Sequence, residues 1–362
     1  MKVLFLANVP SPYRVDFFNE LGKYCDLTVL FEKATSDERD QSWGNYKFHN
    51  FNGIILQGKS INTDTAFCPS VLKYVLNHSF DRIICTIFTD ATGMLAVQAM
   101  KLLHTPYYLE CDGGFAKDGK GLKEKIKKSI IRGAAGYFST GRTCDEYYVT
   151  YGAEESKLIR YPFSSLKESD LVKSVPSVEE KRRLKKELGI QEKRVILSVG
   201  QFIPRKGFDI LMNAVRDIPR DVGIYFVGGI PTKEYLLKRD KNGLTNVHFE
   251  GFKLKNELEK YYRAADLFVL PTREDIWGLV IQEAMACGLP VISTDKCAAA
   301  LELIKHGENG YIIPCEDVCL LEEYIQVIIS SENIARKFGA KSLEIIKSFT
   351  IEKMVEGHLK YL

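Results

Sequence analysis

Twice along this chain, short apolar and β-branched runs alternate with longer stretches that repeat at helical spacing, and this alternation constrains the fold more than any other feature. The first series places strands at 3–7, 27–31, 83–87, 107–110 and 136–139, with helices at 13–24, 69–78 and 93–104 between them. Runs that are apolar throughout belong to strands buried on both faces, the condition in parallel sheets. A second series, at 195–199, 223–227, 247–250, 267–270, 291–293 and 311–313, repeats the scheme. Both halves therefore read as α/β, doubly wound, Rossmann-like domains. The segment 164–193 is charged and poor in large apolar residues, with one amphipathic piece at 178–188, and reads as the interdomain connection. The expected domains are 1–165 and 166–348. A helical tail, 349–362, is expected to cross back onto the first, so that closure hinges near Ser164 and Ser348.

Composition excludes several classes. The chain has 362 residues, 45% of them hydrophobic, and a net charge of +3, enough for two cores and far from disordered or collagen-like compositions. No apolar run approaches the roughly 20 residues that span a bilayer. The opening, from Met1 to Asn8, reads as a first strand and not as a secretory signal, which points to the cytoplasm. Nine cysteines are scattered without a C-x-x-C pair and look like small reduced core residues. Cys315 and Cys319 are the close pair, and a helical core position explains them more simply than a metal. None of the six histidines stands in a catalytic setting; His104 ends a helix.

Two doubly wound domains create a cleft at the carboxyl ends of their strands, where ligands of such sheets bind. The candidate chemistry falls at those ends. Asp275 and Glu283 lie eight positions apart across a loop that enters a helix carrying Leu279, Val280, Ala284 and Cys287; Gly288 and Pro290 stop that helix before the next strand. A helix start of this kind attracts phosphate, and the flanking carboxylates accept hydrogen bonds from hydroxyls. In an isolated loop-helix-strand, a cap or pair on a helix surface would be the usual reading of Glu283, and it is the two-domain context that overturns it. After the strand 195–199 comes a glycine-bounded loop from Gly200 to Gly207 with adjacent cations, Arg205 and Lys206. These suit a diphosphate leaving group, the alternative being a solvated basic turn. The first domain opens with Asn8-Val-Pro-Ser-Pro-Tyr13-Arg14, which lacks the G-x-G-x-x-G fingerprint and disfavours a nicotinamide or flavin enzyme. Tyr13 and Arg14 either offer an aromatic face and a cation to the cleft or simply begin a helix.

The ordered set of Gly-x5-Lys-Gly at Gly200–Gly207, Val227-Gly228-Gly229, Glu250-Gly251-Phe252, Pro271-Thr272, the paired acids with Glu283-Ala-Met-Ala-x-Gly288-x-Pro-Val-Ile292, and Glu308-Asn-Gly310-Tyr311 resembles the family 4 glycosyltransferases. These are retaining enzymes of the GT-B architecture that use nucleotide diphosphate sugars. The likeness covers the second domain nearly end to end and is looser in the first. It implies that Lys206, with Arg205 and Gly200 beside it, holds the donor diphosphate. Glu283 would bind the nucleotide ribose and Asp275 the hydroxyls of the transferred sugar. Gly251 and Phe252 would receive the base, Pro271 and Thr272 form part of the floor, and Gly278 and Leu279 present N–H groups.

Four departures from the family pattern stand out. The first paired acid is aspartate, one methylene short, with Glu274 directly before it. Gln201 stands where many members have arginine. The stretch from Asp295 to Leu301 lacks the usual glycine, leaving its backbone N–H groups to meet the diphosphate. The first domain has Glu110-Cys-Asp112-Gly113-Gly114 where many relatives place a histidine. Asp112 or Glu110 then orients the acceptor, or Asp112 is an ordinary turn residue.

The resemblance implies sugar transfer to a saccharide or lipid-linked saccharide acceptor from a UDP-sugar or, as the second choice, a GDP-sugar. Arg205 and Lys206 would replace a metal, so no cofactor is expected, and attack comes from the face that the diphosphate leaves. From Lys117 to Arg132 the chain carries seven basic and two acidic residues, with Leu122, Ile126 and Ile130 on one helical stripe. Such a helix docks on an anionic membrane surface or turns its stripe into the core. Nucleic acid is disfavoured, since the patch lacks interleaved aromatics. The rival readings are a nucleotide-sugar epimerase and a non-catalytic nucleotide-sugar-binding protein.

Overall fold

The computed structural model describes residues 1–35, 47–77, 79–117, 119 and 121–362, with the side chain of Lys123 left aside. The expected end of the 69–78 helix at His78, and Asp118 and Lys120 of the basic stretch, lie outside the described residues. The chain divides into two units, Met1–Ser165 with Thr350–Leu362, and Leu166–Phe349.

The first unit runs β1 (Lys2–Ala7), α1 (Pro12–Leu21), β2 (Asp26–Phe31), β3 (Asn52–Ile55), a small hairpin of β4 (Lys59–Ser60) and β5 (Ala66–Phe67), α2 (Leu72–Val75), β6 (Arg82–Cys85), α3 (Ala91–Leu102), β7 (Tyr108–Cys111), α4 (Leu122–Arg132), β8 (Gly136–Ser139), α5 (Arg142–Thr150) and β9 (Leu158–Arg160). Seven strands form a parallel sheet in the order β3-β2-β1-β6-β7-β8-β9. Burial explains its centre: every residue of β1 after Lys2 is buried, and Leu4 and Leu6 join Ile83, Cys85, Leu109 and Tyr137 in one core. The helix expected at 69–78 is only the short α2, preceded by a 3-10 turn at Pro69–Val71; Val71 and Val75 are its buried residues, with Leu72 and Tyr74 partly buried against the same core.

The second unit runs α6 (Val178–Glu187), β10 (Arg194–Val199), α7 (Phe208–Ala214), β11 (Val222–Val227), α8 (Lys233–Lys241), β12 (Val247–Glu250), α9 (Lys255–Ala264), β13 (Leu267–Leu270), α10 (Leu279–Ala286), β14 (Val291–Thr294), α11 (Ala298–Leu303), β15 (Gly310–Ile313), α12 (Val318–Ile329) and α13 (Glu332–Ile346). Its parallel sheet has the order β12-β11-β10-β13-β14-β15. Side-chain caps start its helices: Ser177 accepts from the Glu180 N–H, Asp317 from Leu320 and Ser331 from Ile334. The segment expected to be a connection belongs to this unit from Leu166 onward. There α6 packs on α9, and the Val172 N–H donates to the Ala286 carbonyl at 3.0 Å. Its charge is the outer face of a helix, not the signature of a linker. The chain ends in α14 (Ile351–Leu359), which packs on α1 within the first unit.

All nine cysteines are free thiols, five of them buried. Cys315 and Cys319 depart from expectation: Cys315 is half-buried in the turn before α12, and Cys319 is exposed on the outer side of that helix. The apolar stripe of α4 also divides, with Ile130 in the core while Leu122 is 74% and Ile126 38% exposed.

Candidate functional site

In the second unit the order of strands reverses between β10 and β13, and a sheet that winds both ways from such a point opens a crevice at its carboxyl end. The two loops that carry the expected donor residues leave these two strands. After β10 the chain forms a 3-10 turn at Pro204–Lys206 and closes it with Gly207 at φ 69°, in the left-handed region. A Cβ on Gly207 would lie 1.9 Å from the Pro271 carbonyl oxygen, so glycine is what lets the two loops touch. The contact is laced by polar groups. The Arg273 N–H and the Thr272 hydroxyl both donate to the Arg205 carbonyl at 2.8 Å, and Arg205 Nη1 donates to the Glu274 carbonyl at 2.9 Å. Arg273 braces the turn from outside, with Nη1 2.6 Å from the Pro204 carbonyl, both Nη atoms 2.9 Å from the Asp209 carboxylate, and Nε 2.6 Å from Glu316.

These bonds fix the cations. Lys206 Nζ lies 2.6 Å from Asp275 Oδ2, both side chains being largely buried, and Arg205 Nη1 approaches the same oxygen at 3.8 Å. Lys206 and Asp275, expected to grip different parts of a donor, are thus one ion pair, and Arg205 supplies the excess positive charge. Asp275 owes its position to its backbone, whose N–H donates to the Lys296 carbonyl at 2.8 Å.

Glu283 stands half-buried on α10, whose first residue follows Gly278 at φ 98°. The Tyr262 hydroxyl, from α9, donates to Glu283 Oε2 at 2.8 Å. Burial pushes the Glu283 carboxyl up, against the pull of Tyr262, Lys255 and Lys206. Gly200, Pro271, Thr272 and Leu279 sit around the two loops, with Thr272 fully buried as a strut. Gly251 and Phe252 follow β12; Phe252 is 52% exposed, an aromatic face turned to solvent. Two N–H groups of the 295–301 stretch are already engaged by the donor loop. Those of Ala298 and Ala299 donate to the carbonyls of Asp275 and Trp277, at 3.2 and 2.8 Å.

In the first unit, Glu110 is fully buried and cannot orient an acceptor. It binds Arg14 Nη1 at 2.5 Å, the Tyr161 hydroxyl at 3.2 Å and His358 Nε2 at 3.2 Å. Burial alone would raise this carboxyl; Arg14 and His358 outweigh it and hold it down at about 2. Arg14 is likewise buried and spans Glu110 and Asp112, so it is a structural cation and not a free one. Asp112 keeps a partly exposed carboxylate and accepts from the Tyr13 hydroxyl at 3.3 Å. Among the described residues no group of three His, Cys, Asp or Glu side chains is placed to hold a metal ion.

Sequence reasoning missed Tyr262, Arg273 and His358. A basic residue directly after Pro271-Thr272 was the available signal for Arg273. Nothing in the spacing of Tyr262 or His358 marks a partner 21 or 248 residues away.

Two Rossmann-like parallel sheets in this order define the GT-B glycosyltransferase fold. The crystal structure of Anabaena Alr3699/HepE in complex with UDP superposes with a TM-score of 0.81 at 19% identity, covering all of both chains. Residues 180–344 match the family described as "Glycosyl transferases group 1". An uncharacterized glycosyltransferase of Methanocaldococcus jannaschii is 33% identical over 44% of this chain and 45% of its own. The GDP-mannose-dependent alpha-(1-6)-phosphatidylinositol monomannoside mannosyltransferase of Mycolicibacterium smegmatis is 27% identical over 47% of each chain. The chain spans about half the length of these curated relatives. The match to the group 1 glycosyl transferases thus falls within the second unit, Leu166–Phe349.

Proposed function

We propose that the chain is a retaining hexosyltransferase that moves a sugar from a nucleotide diphosphate sugar to a saccharide or lipid-linked saccharide in surface polysaccharide or glycolipid synthesis. The observation that carries this reading is the joining of two loops at the switch point of a group 1 domain. It brings Arg205 and Lys206 together at Asp275, beside a Glu283 held by Tyr262. Cations locked there before any ligand arrives stabilise a diphosphate leaving group more than the ground-state donor, because its charge grows as the anomeric bond breaks. In the proposed step the acceptor oxygen attacks the anomeric carbon on the face the diphosphate leaves, and the acceptor proton passes to the departing oxygen. Asp275 holds sugar hydroxyls, Glu283 the ribose, and Gly251 and Phe252 the base; Asp112 faces the acceptor. UDP is favoured as the base carrier because a neighbour of the same fold was solved with UDP. GDP is the second candidate, from a relative named for GDP-mannose.

We place the reaction on the cytoplasmic face of a membrane. Leu122 and Ile126 stand exposed among the lysines of α4, the pattern of a helix that lies on anionic lipid. The deciding experiment is a nucleotide-release and product assay over UDP- and GDP-sugars, with and without lipid extracts and with EDTA throughout. Lys206→Ala is expected to lower kcat by a factor of about 100 to 1,000, the scale of one lost preorganised donor. Glu283→Ala is expected mainly to raise KM for the donor. Variants that turn over like the parent would refute the site, a trapped glycosyl-enzyme would refute the single displacement, and loss of turnover in EDTA would refute the role of the cations.

A further inference from the structure

A cavity of about 490 Å³ opens in the second unit at the edge opposite the donor loops. Arg194 and Asp266 stand at the amino ends of β10 and β13, Pro290 precedes β14, and α6 forms the wall. Since β10 is six residues long, the cavity and the donor loops are separated by roughly 17 to 20 Å of strand. Seven basic and three acidic side chains line it.

The charges are unevenly matched. Buried Asp266 is saturated: Lys181 Nζ lies 2.9 Å and Lys185 Nζ 3.1 Å from its oxygens, Arg194 Nη1 lies 4.0 Å away, and the Val195 N–H donates to it at 2.9 Å. Three partly buried cations thus share one buried carboxylate. Of the other two acids, Glu192 is spent on the Tyr225 hydroxyl at 2.9 Å and His248 at 2.5 Å, and Glu332 reaches Arg194 only from an exposed position at 3.7 Å. At the rim, Lys186, Lys193 and Arg336 make no ion pair with any described residue. Burial, together with the neighbouring charges of Lys181 and Arg194, pushes Lys185 below its ordinary value. Gathering like charges costs free energy that open solvent would relieve and that a concave wall preserves. The volume falls in the range of small-molecule sites, and arginine with lysine is the pairing that suits phosphate.

We propose that this cavity is a second anion site, separate from the donor loops, which binds a small soluble ligand carrying two or more phosphate groups between α6 and the amino ends of β10 and β13. Lys181, Lys185 and Arg194 form its floor, and Lys186, Lys193 and Arg336 its rim.

Pyrophosphate is the probe, titrated calorimetrically into the full chain. Because the donor loops also attract diphosphate, the titration is run on the Lys206→Ala variant. Binding of one pyrophosphate is expected to persist there, tighter than binding of sulfate. Adding Lys186→Glu and Arg336→Glu, exposed substitutions that leave the Asp266 cluster intact, is expected to weaken it by about tenfold or more for each cation that touches the ligand. No pyrophosphate bound to Lys206→Ala, or equal affinity with the rim charges reversed, would overturn the site. A third arm measures sedimentation with phosphatidylserine vesicles: rim-dependent capture there, with pyrophosphate no tighter than sulfate, would assign the charge to a lipid surface and overturn the proposal as well.

Discussion

At the scale of single residues, the proposed donor side consists of pairs in which one member is assigned the chemistry and the other holds it still. Glu283 shows this most simply. Its carboxylate is raised by burial, and the Tyr262 hydroxyl at 2.8 Å is its hydrogen-bond partner from α9. Tyr262→Phe keeps the packing and removes the bond. One lost bond to a charged group corresponds to about 1.5 kcal/mol or more, so KM for the donor is expected to rise about tenfold while kcat stays within about twofold. Steady-state kinetics over a donor series checks this; an unchanged KM with a lowered kcat would show that Tyr262 acts on the reacting centre and not on binding. The contrast also explains what was legible. Lys206, Asp275 and Glu283 stand out as candidates because their residue types fall at motif spacing in the loops and the helix that follow predicted strands. Their mutual arrangement could not, because the Lys206–Asp275 pair closes over 69 residues and depends on Gly207 letting two loops meet. For the same reason the sequence left two readings open for Arg14 and for Glu110, and the structure places both in one buried ion pair. A charged residue at a strand end looks available until a third partner, here His358, is found buried beneath it.

At the scale of elements, a strand buried on both faces was the clearest: the 267–270 run coincides with β13. The edge strands β3 and β9, four and three residues long, carry too few positions for any period to emerge. The tail was legible as a helix, but its contribution lies in one side chain. His358 is fully buried, stacks on Phe138 with centroids 4.6 Å apart, and faces the Met354 carbonyl at 2.8 Å and Glu110 at 3.2 Å. His358→Phe preserves the stack and leaves a Glu110 oxygen buried without that partner, a change expected to cost about 1 to 3 kcal/mol with the fold retained. Deleting 350–362 removes Ile351, Met354 and Val355 from the same core and is expected to unfold the first unit outright. Urea melts of both variants test this; a truncated chain as stable as the parent would mean that α14 adds nothing to that core.

At the scale of the whole molecule, the two units carry separate cores and their own shifted carboxyls, so pH should act on them differently. In the first unit Glu32 is buried, with one oxygen accepting from the Ala66 N–H at 3.3 Å and the other without a partner among the described residues. Burial raises its carboxyl from 4.5 to about 7, and burial likewise raises Asp90 to about 6. A raised native value means that the stabilising contribution is whole below about pH 4.5, where both folded and unfolded forms are protonated, and is lost as pH climbs through 7. In the second unit Lys181 and Lys185 overcome burial and hold Asp266 below its ordinary 3.8, so its contribution is present above that value and fades only in stronger acid. Between pH 5 and 8 Glu32 and Asp90 should therefore weaken the first unit, while Asp266 adds no change to the second. For Glu32 the change across its whole window is roughly 3 kcal/mol, about 6 to 12 °C in a unit of this size. Calorimetric scans should show one transition falling with pH, and Glu32→Gln, an uncharged stand-in for the protonated acid, should flatten that fall. A Glu32→Gln chain whose lower transition keeps the parent slope would show that the first unit's pH response arises elsewhere, with Asp90 the next group to neutralise.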